Sequence, residues 1–489
     1  MTTPTHYPPM NFSARSALLL ALILTGCGSS KSSSSSASAE AGASGLPVID
    51  VDADCPVIVS ESNCDRTQRP ILFVHGTYDS GVTATNVAQL FASNGFCSDR
   101  FAAMDYDSLV DLTALTGSGQ ANNATPAIDA AIDALIAANP PFTQVNIMCH
   151  SQGALQCYSY LDDPGHAAKV AHYVQLAGGP ESAPPGPPDG GAVPTLSISS
   201  MSDTVEGPEG VTGAEKTVLL TWEDHQAVAC STDTFVAAFE YLHQGSDGGP
   251  DGLTPQYTTI QCSDPTITLS GLSETLGDNQ PPPPGERLEV YELSDPRDSG
   301  APVQVFSDPD GGLITWQAKR LVPYEFRGVS PDGGTIGHQY FAPFKRDDRW
   351  LRFVVPSTDP IAAVATNAIT SLNDNAETTF IFRSASGAFR PDHGDTLTVN
   401  GTEILNSEDA TTKTVTVALF GFDANKDGKS ELGVTSEPGA PFVPYFIRGT
   451  DLFIASSPPA FVQLNFDGLQ MAVPNWPSVT QGLTEVSFP

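Results

Sequence analysis

The stretch Gln144-Val-Asn-Ile-Met-Cys149-His150-Ser151-Gln152-Gly153-Ala154-Leu155 decides how the rest of this chain is read. An apolar, β-rich run enters a tight turn that carries one serine, and an Ala/Leu segment of helical character leaves it. That is the strand–turn–helix context of a nucleophile elbow, in which the turn lifts a serine Oγ above a sheet. The common pattern is Gly-x-Ser-x-Gly, and Cys149 stands where its first glycine would be. That position demands mainly a small side chain, so Cys149 is read as a small-residue substitution in a working turn. Ser151 becomes the candidate nucleophile, and its partners must then be found in the right order.

Upstream, Pro70-Ile71-Leu72-Phe73-Val74 is a continuous apolar run, as expected of a buried parallel strand, and it ends in His75-Gly76-Thr77. A His-Gly turn there can aim the next backbone N–H at a reacting carbonyl oxygen. Thr77 is therefore a candidate oxyanion-hole donor, with the N–H of Gln152 as the second. Val87, Leu90 and Phe91 mark a short helix stopped by Asn94-Gly95, and Phe101 to Tyr106 reads as the next strand. Thr125-Pro126 opens a helix as N-cap and first-turn proline, with Ile128, Ile132, Leu135 and Ile136 on one face. After the elbow helix come strands at Tyr173 to Ala177, Thr195 to Ser199 and Thr217 to Thr221. A last helix begins at Ser231 or Thr232 and carries Phe235, Phe239 and Leu242. This alternation predicts an α/β class domain, a mostly parallel sheet with helices on both faces.

The triad acid should end a strand after the elbow, and Asp203 follows Ser199-Ser200-Met201-Ser202 at that place. His225 sits in the loop between the next strand and the last helix. Ser151…Asp203…His225 is the chain order of α/β-hydrolases, unlike that of the other common serine triads. The chemistry needs His225 to take the Ser151 proton and Asp203 to hold the imidazole tautomer. Among rivals, His150 adjoins the nucleophile and cannot turn back as its base. His166, His172 and His243 lack an acid-bearing strand end before them. Asp224 is read as a solvated loop residue, and Glu206 and Glu209 as weaker alternatives to Asp203.

Phe73-Val-His-Gly-Thr77, the His-Ser-Gln-Gly elbow and Asp224-His225-Gln-Ala-Val-Ala-Cys-Ser231 together resemble the Archaeoglobus-type lipases, over roughly residues 50 to 250. His338 to Lys345 and Trp350 to Val355 are similar to the β domain of the same family. The resemblance implies a minimal α/β-hydrolase with a C-terminal β domain, hydrolysing carboxylic esters through an acyl-Ser151 intermediate, with no cofactor and no metal.

The 489 residues carry a formal net charge of -34 with 40% hydrophobic residues, enough for two or three packed domains. Between residues 50 and 265 the only cationic side chains are Arg66, Arg69, Arg100, Lys169 and Lys216. Such a surface repels phosphate backbones, so no nucleic-acid partner is expected and a neutral ester or lipid substrate fits better. Arg15 and the apolar run Ala17 to Leu24 read as a signal peptide, and Leu24-Thr-Gly-Cys27 resembles a bacterial lipobox. Lipidation of Cys27, followed by a Ser/Ala/Gly-rich tether at 28–49, would anchor an exported protein at the cell envelope; the resemblance to lipobox proteins implies that Gly28 favours the outer membrane in a Gram-negative host. Export permits disulfides. Cys55 with Cys64 is the most natural local pair, and Cys230 with Cys262 could close the first domain. Cys149 and Cys157 are read as buried small hydrophobes.

The expected organisation is therefore 1–27 signal and lipobox, 28–49 tether, 50–262 catalytic domain, 263–355 β-sandwich-like domain and 356–489 a second β unit. The β half, of sandwich or barrel type, carries no triad and is expected to fill its core with aromatics, or to present apolar surface to lipid. Gly277 to Gly285 is read only as a loop. Asp423, Asn425 and Asp427 resemble the opening of a calcium loop, but position twelve is Val434, which favours an Asp-Gly hairpin turn. Asp107 to Ala124 and Pro180 to Gly191 are the candidate lids. The rival functions are an acyltransferase or polyester depolymerase on the same triad, and an inert surface-binding module. Oligomeric state is not legible.

Overall fold

A computed structural model describes residues 64–108, 124–189, 191–243, 255, 265–293, 300–307, 312–355, 377–385, 387–391, 394–405, 418–432, 447–456 and 461–488. Strands β1 (Ile71–Val74), β2 (Phe101–Met104), β3 (Val145–His150), β4 (Val170–Leu176), β5 (Thr195–Ser200) and β6 (Lys216–Leu220) form one sheet. Their order is β2-β1-β3-β4-β5-β6, and every neighbouring pair is parallel. Successive side chains of a strand point to opposite faces. Phe73 and Met148 accordingly join a core with α1 (Thr85–Ser93) and α4 (Thr232–Leu242), built on Phe91, Phe235 and Phe239. Leu72, Val74 and Ile147 pack on the other face against α2 (Thr125–Ala138) and α3 (Gln152–Leu161). Burial on both faces is why β1 is a continuous apolar run in sequence.

Helix ends differ from expectation by a residue. Ala124, not Thr125, occupies the N-cap of α2, and no side chain caps it. The start is set instead by Pro126, whose missing N–H costs nothing in the first turn. Ser231 does cap α4, its Oγ accepting the Thr234 N–H at 3.2 Å.

The disulfides correct the expected pairing. Cys64 bonds Cys97, because the Asp65–Phe96 bridge lays the two segments side by side with the cysteine Cα atoms 5.0 Å apart. Cys149 bonds Cys157, tying the end of β3 to the second turn of α3, so these two are buried but not merely small hydrophobes. Cys230 is free and buried, so it does not close the domain, and Cys55 and Cys262 lie outside the described residues.

Among the described residues the second half holds three sheets. Strands β7 (Thr266–Thr275), β10 (Leu313–Lys319) and β13 (Asp348–Val355) make a three-stranded sheet. An eight-stranded sheet joins β8 (Arg287–Glu292), β9 (Gln304–Ser307), β11 (Tyr324–Val329) and β12 (Thr335–Phe341) to β14 (Phe380–Ser384), β17 (Ala418–Phe422), β18 (Ile447–Asp451) and β21 (Leu483–Phe488). A four-stranded sheet contains β15 (Leu397–Val399), β16 (Thr402–Glu403), β19 (Phe461–Phe466) and β20 (Leu469–Pro474). Because β21 pairs with both β12 and β14, the eight-stranded sheet runs across the expected division at 355/356. Asp423 to Ser430 does not join β17 to a hairpin partner, since β17 is already paired on its two edges with β14 and, in parallel, with β18. It is a run of side-chain turns, in which Asp423 accepts the N–H groups of Asp427 and Gly428 and Asn425 also accepts that of Asp427.

The β region supplies part of the hydrolase core. Trp350 is 2% exposed in the same cluster as Phe91, stands edge-on to Phe101, and donates from Nε1 to the Phe101 carbonyl at 3.0 Å. Beside it Arg352 is paired with Asp105 at 2.7 Å and donates to the Ala103 carbonyl at 3.1 Å. Arg346 donates to the Gln89 carbonyl at 3.1 Å. Guanidinium groups can be buried there because protein acceptors replace water. Strand β13 is thus built into the α/β half rather than held out from it.

Candidate active site

Ser151 stands between the end of β3 and the first residue of α3, with φ 52 and ψ -125. A non-glycine residue held at positive φ costs about 1–3 kcal/mol unless its surroundings fix it. Here the Ser151 N–H donates to the Leu176 carbonyl at 3.0 Å, and the Ser151 carbonyl accepts the Ala154 N–H at 2.9 Å. Gly153 is required by close approach, because a Cβ there would lie 2.4 Å from the His75 carbonyl oxygen. The turn holds its serine in the conformation that the elbow motif demands, with Cys149 anchored through its sulfur.

The residues picked from sequence meet. His225 Nε2 is 2.9 Å from Ser151 Oγ, and His225 Nδ1 is 3.0 Å from Asp203 Oδ2. The other oxygen of Asp203 accepts the N–H groups of Val205 at 2.8 Å and Glu206 at 3.1 Å, which fixes the carboxylate plane. All three groups are largely out of water, His225 being 3% exposed. Burial opposes charge on His225, but the Asp203 hydrogen bond and charge, with Glu206 and Asp224 behind them, raise its pKa above the ordinary value. Burial likewise works against ionised Asp203, yet the His225 contact and the two backbone N–H groups bring its pKa down.

The neighbours of these three residues have supporting positions. Burial, then the nearby His225, pushes His150 down to about 3. Its Nε2 lies 3.0 Å from the His225 carbonyl oxygen and donates to it, so this histidine anchors the loop that carries His225. Asp224 is no solvated loop residue. It is 4% exposed, accepts the N–H groups of Gln226 and Ala227 at 2.9 Å each, and faces Arg390 at 3.9 Å. The short helical turn Ala227–Cys230 needs those caps to hold the backbone just after His225.

The His75-Gly76-Thr77 turn lies against Ser151, since a Cβ on Gly76 would come within 2.9 Å of Ser151 Cβ. The Thr77 hydroxyl donates to the Gln152 side-chain carbonyl, joining the two residues expected to supply oxyanion donors. Gln152 opens α3, so its N–H has no acceptor within the helix. Of the candidate lids, Asp107 to Ala124 falls mostly outside the described residues. Pro180 to Gly191 is pinned down, with Tyr158 Oη donating to the Ala183 carbonyl at 3.1 Å and Glu181 bridging Val211. Cys27 also lies outside the described residues. Among the described residues no group of three or more His, Cys, Asp or Glu side chains is arranged to hold a metal ion.

Known proteins bear on the fold. A family model described as Alpha/beta hydrolase matches residues 73–183, one described as Lipase C-terminal domain matches 265–358, and a further C-terminal domain model matches 387–488. No curated protein matches the chain. Aspergillus fumigatus lipase B aligns at 15% identity and a TM-score of 0.27, covering 41% of this chain and 58% of its own. The pyrethroid hydrolase PytH aligns at 15% identity and 0.26, covering 35% of this chain and 97% of its own. Bacillus licheniformis lipase BlEst2 in its propeptide form aligns at 12% identity and 0.25, over 70% and 83%. The strand order and the family matches, rather than these weak superpositions, identify the fold as a lipase-like α/β hydrolase followed by a β-rich C-terminal region.

Proposed function

We propose that this protein is a serine carboxylic-ester hydrolase, a lipase or esterase, working through acyl-Ser151. The α/β-hydrolase and lipase C-terminal matches support a hydrolase, and the hydrogen-bonded chain Ser151–His225–Asp203 carries the finer reading. Ser151 Oγ attacks the ester carbonyl carbon while His225 Nε2 takes its proton. Asp203 keeps the other ring proton on Nδ1 and stabilises the imidazolium that forms. His225 then gives its proton to the leaving alkoxide, and the ester C–O bond breaks. Water, deprotonated by the same nitrogen, attacks the acyl-serine, and His225 returns that proton to Ser151 Oγ as the acyl–Oγ bond breaks and the acid leaves. The N–H groups of Thr77 and Gln152 would hold the tetrahedral oxyanion, each worth about 3 kcal/mol in comparable sites.

Neutral acyl substrates fit the acidic surface. Met201, Val205 and Trp222, on the loops that carry Asp203 and His225, are exposed apolar side chains and offer a resting place for an acyl chain. Lipidation at Cys27 would hold the enzyme at the cell envelope, near such substrates. Purified protein should hydrolyse p-nitrophenyl acyl esters, and a series from short to long chains should sort esterase from lipase. Ser151→Ala and His225→Ala should be inactive. Unchanged turnover by a well-folded Ser151→Ala protein would overturn the proposal.

A further inference from the structure

We infer that Asn279, on the loop that follows β7, is a positioning residue that aims the oxyanion-hole peptide; the inference rests on the serine-hydrolase reading above. Its side-chain amide crosses from the β half into the α/β half. Nδ2 lies 2.8 Å from the Asp79 carbonyl oxygen, 3.1 Å from that of Tyr106 and 3.3 Å from His75 Nε2. Two carbonyl acceptors fix which end of the amide is the donor. The Tyr106 N–H also donates to His75 Nε2, at 3.3 Å. The Tyr106 N–H on Nε2 and the Gly76 carbonyl 2.8 Å from Nδ1 place the His75 ring proton on Nδ1, which donates to that carbonyl, while the Asn279 amide, its two hydrogens shared among three acceptors, backs Nε2.

That last bond reaches the reacting centre through peptide geometry. In a trans peptide the carbonyl and the next N–H lie in one plane and point in opposite directions. Holding the Gly76 oxygen therefore aims the Thr77 N–H. The turn has no slack on its other side, since Gly76 is packed against Ser151. A second tie comes from the same loop. Ser108 Oγ donates to the Gly277 carbonyl at 3.3 Å and accepts the Tyr78 N–H at 2.9 Å, so the residues on both sides of Thr77 are held. The loop is itself anchored, with the Asn279 N–H on the Thr275 carbonyl at 3.1 Å and the Leu276 N–H on the Val355 carbonyl at 3.0 Å. The β half thus contributes to catalysis by steadying a donor.

Asn279 sits at φ 50, so Asn279→Gly removes the amide while keeping a backbone that tolerates the conformation. Asn279→Asp keeps the shape and replaces the donor by an acceptor. Each would be assayed for kcat and KM on a p-nitrophenyl ester, per active site titrated with a covalent phosphonate, beside Ser151→Ala and with thermal melts. Expected in both variants is a kcat about tenfold or more below wild type, with KM within about twofold. Affinity for a trifluoromethyl ketone, which forms the tetrahedral adduct, should fall by the same factor as kcat/KM. A kcat per titrated site within about twofold of wild type, whatever the melting temperature, would overturn the inference and leave the serine mechanism standing. An active Ser151→Ala protein would instead remove the reading beneath it.

Discussion

Replacing Asp203 by Asn should lower kcat by about four orders of magnitude, and the geometry explains why so similar a side chain fails. Asp203 Oδ1 is committed to the N–H groups of Val205 and Glu206, while Oδ2 faces His225 Nδ1 at 3.0 Å. An Asn oxygen would keep the two backbone donors, which turns its NH₂ group toward His225 Nδ1. Donor then meets donor, and the imidazole relieves the conflict by moving its proton to Nε2. In that tautomer Nε2 cannot take the proton of Ser151, 2.9 Å away. A loss of 10⁴ corresponds to about 5.4 kcal/mol at 1.36 kcal/mol per decade. The pH profile gives a second signature. The base works as the neutral ring, so kcat/KM is lost as pH falls through a His225 pKa that stands above its ordinary 6.5. Removing Asp203 deletes the main influence raising that pKa and leaves burial, which lowers it, so the acid limb of the residual activity should move to lower pH. The assay is ester hydrolysis from acid to alkaline pH on proteins matched by thermal melts, with Glu206→Gln as the control. Glu206 holds Asp203 only through its main-chain N–H, so this control should stay within about fivefold of wild type. Activity of the Asp203→Asn protein within about tenfold of wild type, or an equal loss in Glu206→Gln, would refute the assignment of the acid.

Trp350→Ala should destabilise the α/β half by about 3–5 kcal/mol, because it empties a site among α1 and β2. Denaturant unfolding followed by loss of ester hydrolysis would show it, and a shift below about 1 kcal/mol would mean that β13 is not part of that core. Replacing Cys149 and Cys157 together by Ala removes a cross-link spanning a sequence separation of 8, which should cost about 2.5 kcal/mol by loop entropy while kcat per titrated site changes little. Unaltered unfolding in the double variant would mean the bond does not constrain the elbow. Burial first, then the charge of Asp105, pushes Glu274 from 4.5 up to about 8, against the pull of Arg352. A carboxyl raised in this way binds its proton more tightly in the folded state, so its contribution is full below about pH 4.5 and is lost as pH rises toward 8. Glu274→Gln should flatten that loss, lifting the melting temperature at alkaline pH relative to wild type; parallel curves would contradict it.

The parts of the site legible in sequence were those fixed by local pattern and chain order. Strand β3, the turn at Ser151 and α3 declare themselves by apolar run, serine and helix, and the order of Asp203 and His225 follows from the strands they end. Partnerships across distant segments were not legible. Cys97 is 33 residues from Cys64, and contacts across distant segments, such as the Asp65–Phe96 bridge, bring them together. Asp224 reads as solvated because Arg390, the cation that faces it, comes from elsewhere in the fold. Asn279 sits in a Gly/Pro-rich loop whose composition says turn and nothing more. Trp350 and Arg352 read as ordinary β-domain residues, since periodicity cannot tell which core a strand face will enter. Likewise β21 is the last strand of the chain, yet it pairs between β12 and β14 and unites what sequence divides.

The proposed role of Ser151 as nucleophile is tested by stoichiometric reaction with a fluorophosphonate followed by peptide mass spectrometry. A single adduct is expected on Ser151, formed in step with loss of ester hydrolysis and absent from His225→Ala, whose serine lacks its base. Complete inactivation with the adduct on another residue, or full hydrolysis by protein fully labelled at Ser151, would contradict it.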